Sequence, residues 1–181
     1  MVYNITHNNN SRKGFILGMN IMDIKEIHDE GFAKYGKLFS KRLGMADMPD
    51  SYGATSSYWH NIQKDSLNTA NITVGYLSVK KQPPVPGVME RHVKFGEIFV
   101  AISGEGVLPV CPAADAPCEK DMEFYRVKPG DAFLIYGGVW HTPPIAHGCD
   151  EIDFIMIVPE DILGDIDKKQ VMQGGEGWFA W

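Results

Sequence analysis

Glu90 and His92 stand two residues apart in the run Val88-Met89-Glu90-Arg91-His92-Val93, and Glu97 follows the turn signal Lys94-Phe95-Gly96. A strand alternates its side chains between two faces, so Glu90 and His92 project to one side and Met89 and Arg91 to the other. A hairpin at 94–96 returns Glu97 beside them. Further along, Gly130-x5-Tyr136-x-Gly138-x2-His141 supplies a second imidazole after a glycine-bearing turn. The glycines permit a tight reversal, from which His141 reaches back into the mouth of a barrel. Two imidazoles with one or two carboxylates suit a divalent metal such as zinc, manganese, iron or nickel, with positions left open for a small-molecule substrate. His92, Glu97 and His141 are the expected metal ligands.

The elements that carry these residues are short strands. Beyond residue 70 the chain alternates runs rich in β-branched and aromatic residues with Gly/Pro turns, which predicts strands over 72–79, 88–93, 97–102, 107–111, 122–127, 131–136 and 151–158. No helix-length pattern separates them, so the fold class is mainly all-β: a single antiparallel β-barrel or jelly roll. The segment 28–36, with acidic residues in its first turn and Gly36 as a stop, predicts one short N-terminal helix. Residues 45–70 read as an irregular loop in which Trp59-His60 is a candidate for the mouth of the site. Residues 1–18 read as a flexible lead-in, and 19–181 as one domain without internal repeats.

Bulk properties exclude several classes. A chain of 181 residues with net charge −6 and no basic cluster lacks the surface that nucleic acid requires. The longest apolar runs, such as 154–158, are strand-length, which excludes a membrane helix, and no export signal is evident. Three cysteines without C-x-x-C spacing exclude a zinc ribbon and predict reduced thiols in a cytoplasmic protein. The tail 174–181 holds three aromatics among glycines, which suggests packing on a neighbouring subunit, and a homodimer is expected because small barrels expose strand edges.

The two segments resemble the paired cupin motifs. His92, Glu97, Gly104, Gly130, Gly138 and His141 match, while Glu90 replaces the first histidine, Tyr136 a proline and Ile145 an asparagine. The sequence is also similar to the ureidoglycolate lyase family over about residues 25–158, through Glu90-Arg91-His92, Tyr136-Gly137-Gly138-Val139-Trp140-His141, Asp153-Phe154 and the early Phe32-Ala33-Lys34-Tyr35-Gly36. That family usually has glutamine where this chain has Glu97. The resemblance implies cleavage of ureidoglycolate to glyoxylate and urea in allantoin breakdown, with a metal polarising the substrate. It makes Glu90 a candidate base or fourth ligand, and Tyr136 and Asp153 candidates to position the ureido group or relay a proton. Two other readings stay open: a metal-dependent isomerase or dioxygenase acting on a small hydroxy acid or sugar, and a non-catalytic binding protein.

Overall fold

The β-branched and aromatic runs become strands that share two sheets in the computed structural model, which describes residues 23–28, 30–38, 51–52, 57–58, 67, 71–81 and 87–171. In chain order the early strands are β1 (Ile24–Glu26), β2 (Gly36–Leu38), β3 (Ser51–Tyr52), β4 (Ser57–Tyr58) and β5 (Ile72–Lys80). Then come β6 (Val88–His92), β7 (Glu97–Ser103), β8 (Gly106–Cys111), β9 (Glu123–Val127) and β10 (Ala132–Ile135). The last are β11 (Trp140–His141), β12 (Ile145–Ala146), β13 (Glu151–Pro159) and β14 (Ile166–Gln170). One sheet runs β1-β9-β8-β11-β6-β14 with β12 also on β8, the other β2-β10-β7-β13-β5, and β3 pairs with β4. Only β1 on β9 is parallel among the described pairs. The two sheets form the layers of the expected jelly roll and do not close into one continuous barrel. The lead-in 1–18, Trp59-His60 and the aromatic tail 174–181 lie outside the described residues.

Alternation decides what fills the space between the layers. Along β7, Glu97, Phe99 and Ala101 are buried, while Ile98 and Val100 on the opposite face are half-exposed. Phe99 stacks on Phe133 at 5.2 Å and meets Phe154 edge-on at 5.7 Å. Leu108, Val110, Tyr125 and Val127 contribute from the facing sheet to the same core. Fully burying an aliphatic or Phe side chain stabilises by about 1.5–3 kcal/mol, and Val79, Ile135, Val139 and Ile152 extend the same apolar layer between the sheets. Two steps along β7 from Phe99, the inward position becomes the acid Glu97, and the dry core gives way to a polar cluster.

The expected helix over 28–36 is a 3₁₀ turn, Glu30–Lys34, anchored by buried Phe32 against Tyr125 at 5.2 Å. With five residues, it is too short to propagate an α-helix. Gly104 is the tight corner between β7 and β8. It has φ 71°, and a Cβ there would stand 2.3 Å from the Glu151 carbonyl oxygen. No helix among the described residues is long and apolar enough to cross a membrane.

Candidate metal centre

Three strands deliver four polar side chains to one end of the intersheet space. β6 carries Glu90 and His92 on its inner face, β7 starts with Glu97, and β11 ends with His141, which pairs directly with Glu90. His92, Glu97 and His141 are buried at 5%, 6% and 2% exposure. Ligand atoms of Glu90, His92 and His141 lie within 4.8 Å of one another. Glu97 spans both imidazoles: Oε2 is 3.7 Å from His92 Nε2, and Oε1 is in close contact with His141 Nε2. The two rings are 5.9 Å apart, centre to centre.

The turns that set this geometry hold each other. Gly138, at φ 85°, donates its N–H to the His92 carbonyl at 2.7 Å, which ties the second motif to the first. Asp165 accepts the Lys94 and Phe95 N–H groups at 2.8 and 3.2 Å, fixing the turn between His92 and Glu97. His141 Nδ1 lies 2.9 Å from the Val139 carbonyl, so this nitrogen carries a proton and Nε2 faces the cluster.

Burial pushes the His92 imidazole below its ordinary pKa, against the pull of Glu97. Burial acts the same way on His141, but the Glu97 charge and contact and the Val139 carbonyl outweigh it and raise that pKa. The two imidazoles are thus pushed in opposite directions, His92 toward its neutral form and His141 toward its charged form beside Glu97. His92 Nδ1 is buried without a hydrogen-bond partner, and Glu97 Oε1 and His141 Nε2 have only their close contact with each other. Buried polar atoms rarely stay unsatisfied, and two imidazole nitrogens with carboxylate oxygens form a donor set that suits a divalent cation. The residues fit such an ion.

The residues between the candidate ligands serve the opposite face of the sheet. The Arg91 guanidinium lies 4.5 Å over the Trp140 ring, and Arg91 Nη1 and Trp140 Nε1 both donate to the Ala114 carbonyl, at 2.7 and 2.8 Å. Arg91 Nε and Nη2 also donate to Asp167 Oδ2, at 3.2 and 3.0 Å. Met89, Val107, Cys111, Phe124 and Trp140 bury this face in a second apolar cluster. On β6 and β11 the residues beside the cluster, Met89, Arg91 and Trp140, thus brace Glu90, His92 and His141 from the opposite face.

Asp153 and Tyr136 are not brought to the cluster. Asp153 sits between inward Ile152 and Phe154, both fully buried, so parity turns it outward. There its carboxylate accepts from Ser103 Oγ at 2.5 Å, and hydrogen bonds from Ser103 and Ser78 lower its pKa. Tyr136 follows inward Ile135, one step past β10, and is 39% exposed. The sequence reading missed Lys168, whose Nζ lies 2.9 Å from Glu90 Oε2. It also missed Asp165 and the Ala114 carbonyl.

Two facing antiparallel sheets with histidines and carboxylates at one end of the space between them define a cupin-type protein. The family model described as ureidoglycolate lyase matches residues 19–176, and the chain belongs to that family. No curated protein sequence matches it. Among solved structures, a mutant oxalate decarboxylase of Bacillus subtilis is 16% identical, with 75% of this chain and 28% of that chain covered and a TM-score of 0.39. A cupin-2 domain containing protein from Shewanella frigidimarina is 19% identical, with 51% and 74% covered and a TM-score of 0.34. Vicilin from Corylus avellana is 16% identical, with 68% and 34% covered and a TM-score of 0.40. The chain thus spans about a quarter of the decarboxylase, and its class rests on its own sheets and on the family match.

Proposed function

We propose that this chain is a ureidoglycolate lyase, cleaving ureidoglycolate to glyoxylate and urea in allantoin breakdown. The observation that carries the reading is the convergence of Glu90, His92, Glu97 and His141 in a member of this family. The reaction needs a base for the carbinol O–H. As that proton leaves, the carbonyl forms and the C–N bond breaks; the electron pair goes to the ureido nitrogen, which takes a proton and departs in urea. Glu90 is half-buried where the other cluster residues are fully buried, and it is the carboxylate an entering substrate meets. It accepts the proton and returns it to the leaving nitrogen. His92, Glu97 and His141 are the residues to hold a divalent metal (zinc, manganese, iron or nickel), with Glu90 close enough to be a fourth donor. When bound, the cation supplies a Lewis acid that favours the ionised hydroxyl. The test is urea release from ureidoglycolate by the purified, metal-analysed protein; a metal-loaded protein that releases none overturns the reading.

Glu97, where the family usually has glutamine, favours a second reading: a metal-dependent isomerase or dioxygenase on another small hydroxy acid or sugar. A substrate panel separates the two. A homodimer is also proposed. Edge strand β5 exposes Ile72, Val74 and Tyr76 at 56%, 66% and 63%, an apolar row that a second copy would cover. Light scattering at the mass of one 20.2 kDa chain would exclude it.

A further inference from the structure

The edge strand β14 lies antiparallel to β6 with Lys168 opposite Glu90 and Ile166 opposite His92. Facing pairs share a side of the sheet, so Lys168 belongs to the inner, cluster-bearing face. Its neighbours belong to the other face: Asp167 binds Arg91, and Lys169 lies 5.9 Å over the Trp140 ring with Nζ on the Asp115 carbonyl. β14 thus sorts two adjacent lysines, one to the brace and one to the site. Lys168 Nζ is 2.9 Å from Glu90 Oε2, and its side chain is 59% exposed.

That contact adds little to the fold. An exposed ion pair contributes about 0–1 kcal/mol, and β14 is already held by five register pairs with β6 and by the Arg91–Asp167 bond. The charge at the entrance matters more. Glu90 and Glu97 are both in the cluster, and Asp165 also acts on His92. With Glu90 and Glu97 balanced by the divalent cation proposed for the cluster, an entering anion still brings a negative charge of its own, and Lys168 offers it a positive one on the inner face while staying open to solvent.

We propose that Lys168 recognises the carboxylate of a small α-hydroxy or α-keto acid, exchanging its Glu90 partner for the ligand as the ligand enters. The inference rests on the lyase reading for the identity of that acid, ureidoglycolate, and of its product, glyoxylate. Exchange leaves the number of ion pairs unchanged and frees Glu90 Oε2 next to the bound molecule. Lys168 is then the specificity-determining group that admits the acid and rejects its neutral amide, since the amide offers no charge to replace that of Glu90.

The experiment compares wild type with Lys168→Met, Lys168→Gln and Lys168→Arg. Calorimetry gives the affinity for glyoxylate and for glycolamide, an uncharged control, and urea release gives KM and kcat. Lys168→Met should weaken glyoxylate binding and raise KM by about tenfold, the loss of one charge-assisted hydrogen bond. It should leave kcat unchanged within about threefold, the signature of binding lost equally in ground and transition states, and should raise glycolamide affinity, because the Lys168–Glu90 pair no longer has to be broken. Lys168→Arg should stay within about threefold of wild type, and Lys168→Gln carries the measurement if the Met variant does not fold. Glyoxylate affinity equal in wild type and Lys168→Met, or no glyoxylate binding by wild type, overturns the assignment. Lysine-dependent glyoxylate binding without urea release by wild type supports the assignment and overturns the lyase reading.

Discussion

Neutralising Glu97 is the sharpest test of the candidate metal centre. Glu97→Gln keeps shape and volume but removes the charge that lies 3.7 Å from His92 and touches His141. Two unit charges about 4 Å apart interact by about 4 kcal/mol at an effective dielectric of about 20, and a divalent cation doubles that. Desolvation of a carboxylate only 6% exposed takes back much of the gain. A net loss of about 3 kcal/mol remains, roughly 100-fold in metal affinity. Glu90→Gln should cost less, about tenfold, because Glu90 is half-buried and already shares its charge with Lys168. The assay is competition with a colorimetric chelator, alongside elemental analysis after dialysis, for both variants and wild type. Equal metal retention in Glu97→Gln and wild type with undiminished urea release would refute the ligand assignment, leaving Glu97 as a substitute for the family glutamine. The reverse order, with Glu90→Gln losing more, would move the site to Glu90, His92 and His141.

Gly104→Ala forces a side chain into φ 71° with its Cβ 2.3 Å from the Glu151 oxygen, and should cost about 2 kcal/mol or more, a fall of roughly 5 °C in a thermal melt. Trp140→Phe removes the Nε1 bond to Ala114 and leaves that carbonyl to Arg91 alone, so denaturant unfolding should show a loss of about 1–2 kcal/mol. Burial works to raise the pKa of Glu123, but hydrogen bonds from Lys34, Tyr125 and Lys25 outweigh it and hold the value at about 2, against 4.5 unperturbed. A depressed carboxylate stabilises above its unfolded pKa. Glu123→Gln should therefore cost about 1 kcal/mol at neutral pH, after allowance for solvent screening. The difference from wild type should vanish as pH falls from 4.5 toward 2, as measured by urea melts across that range.

Strands with an apolar face were legible in the sequence, and strands without one were not. The seven expected strands match β5–β10 and β13 within two residues at each end. β14 reads Ile-Asp-Lys-Lys-Gln, a polar edge strand whose partners are ionic, so no hydrophobic period marks it, and Lys168 was hidden with it. β1 and β11 have three and two residues, too few for any period. The cluster was legible because its information is local: the spacing of Glu90 and His92, the hairpin to Glu97, and the glycine turn before His141. Asp153 was misjudged although Ile152 and Phe154 on either side already announced an outward position. What no spacing could disclose was the pairing of distant elements, β14 on β6 and the 112–118 loop beneath Arg91.

The alternation within Glu90-Arg91-His92 makes the centre digital rather than graded. Sliding β6 by one residue would exchange the faces entirely, putting Arg91 among the imidazole and carboxylate of the other strands and sending both Glu90 and His92 to the far side. Such a mis-paired chain would keep its mass, its strand content and most of its core, yet bind nothing. Arg91 guards against that outcome. Its fork fits Asp167 on β14 and the Ala114 carbonyl together, and Asp167, flanked by Ile166 and Lys168, has no acidic substitute one residue along. The arginine thus works as a proofreading key for strand alignment, and its chemical contribution to a reaction it never touches is to make the wrong alignment unaffordable.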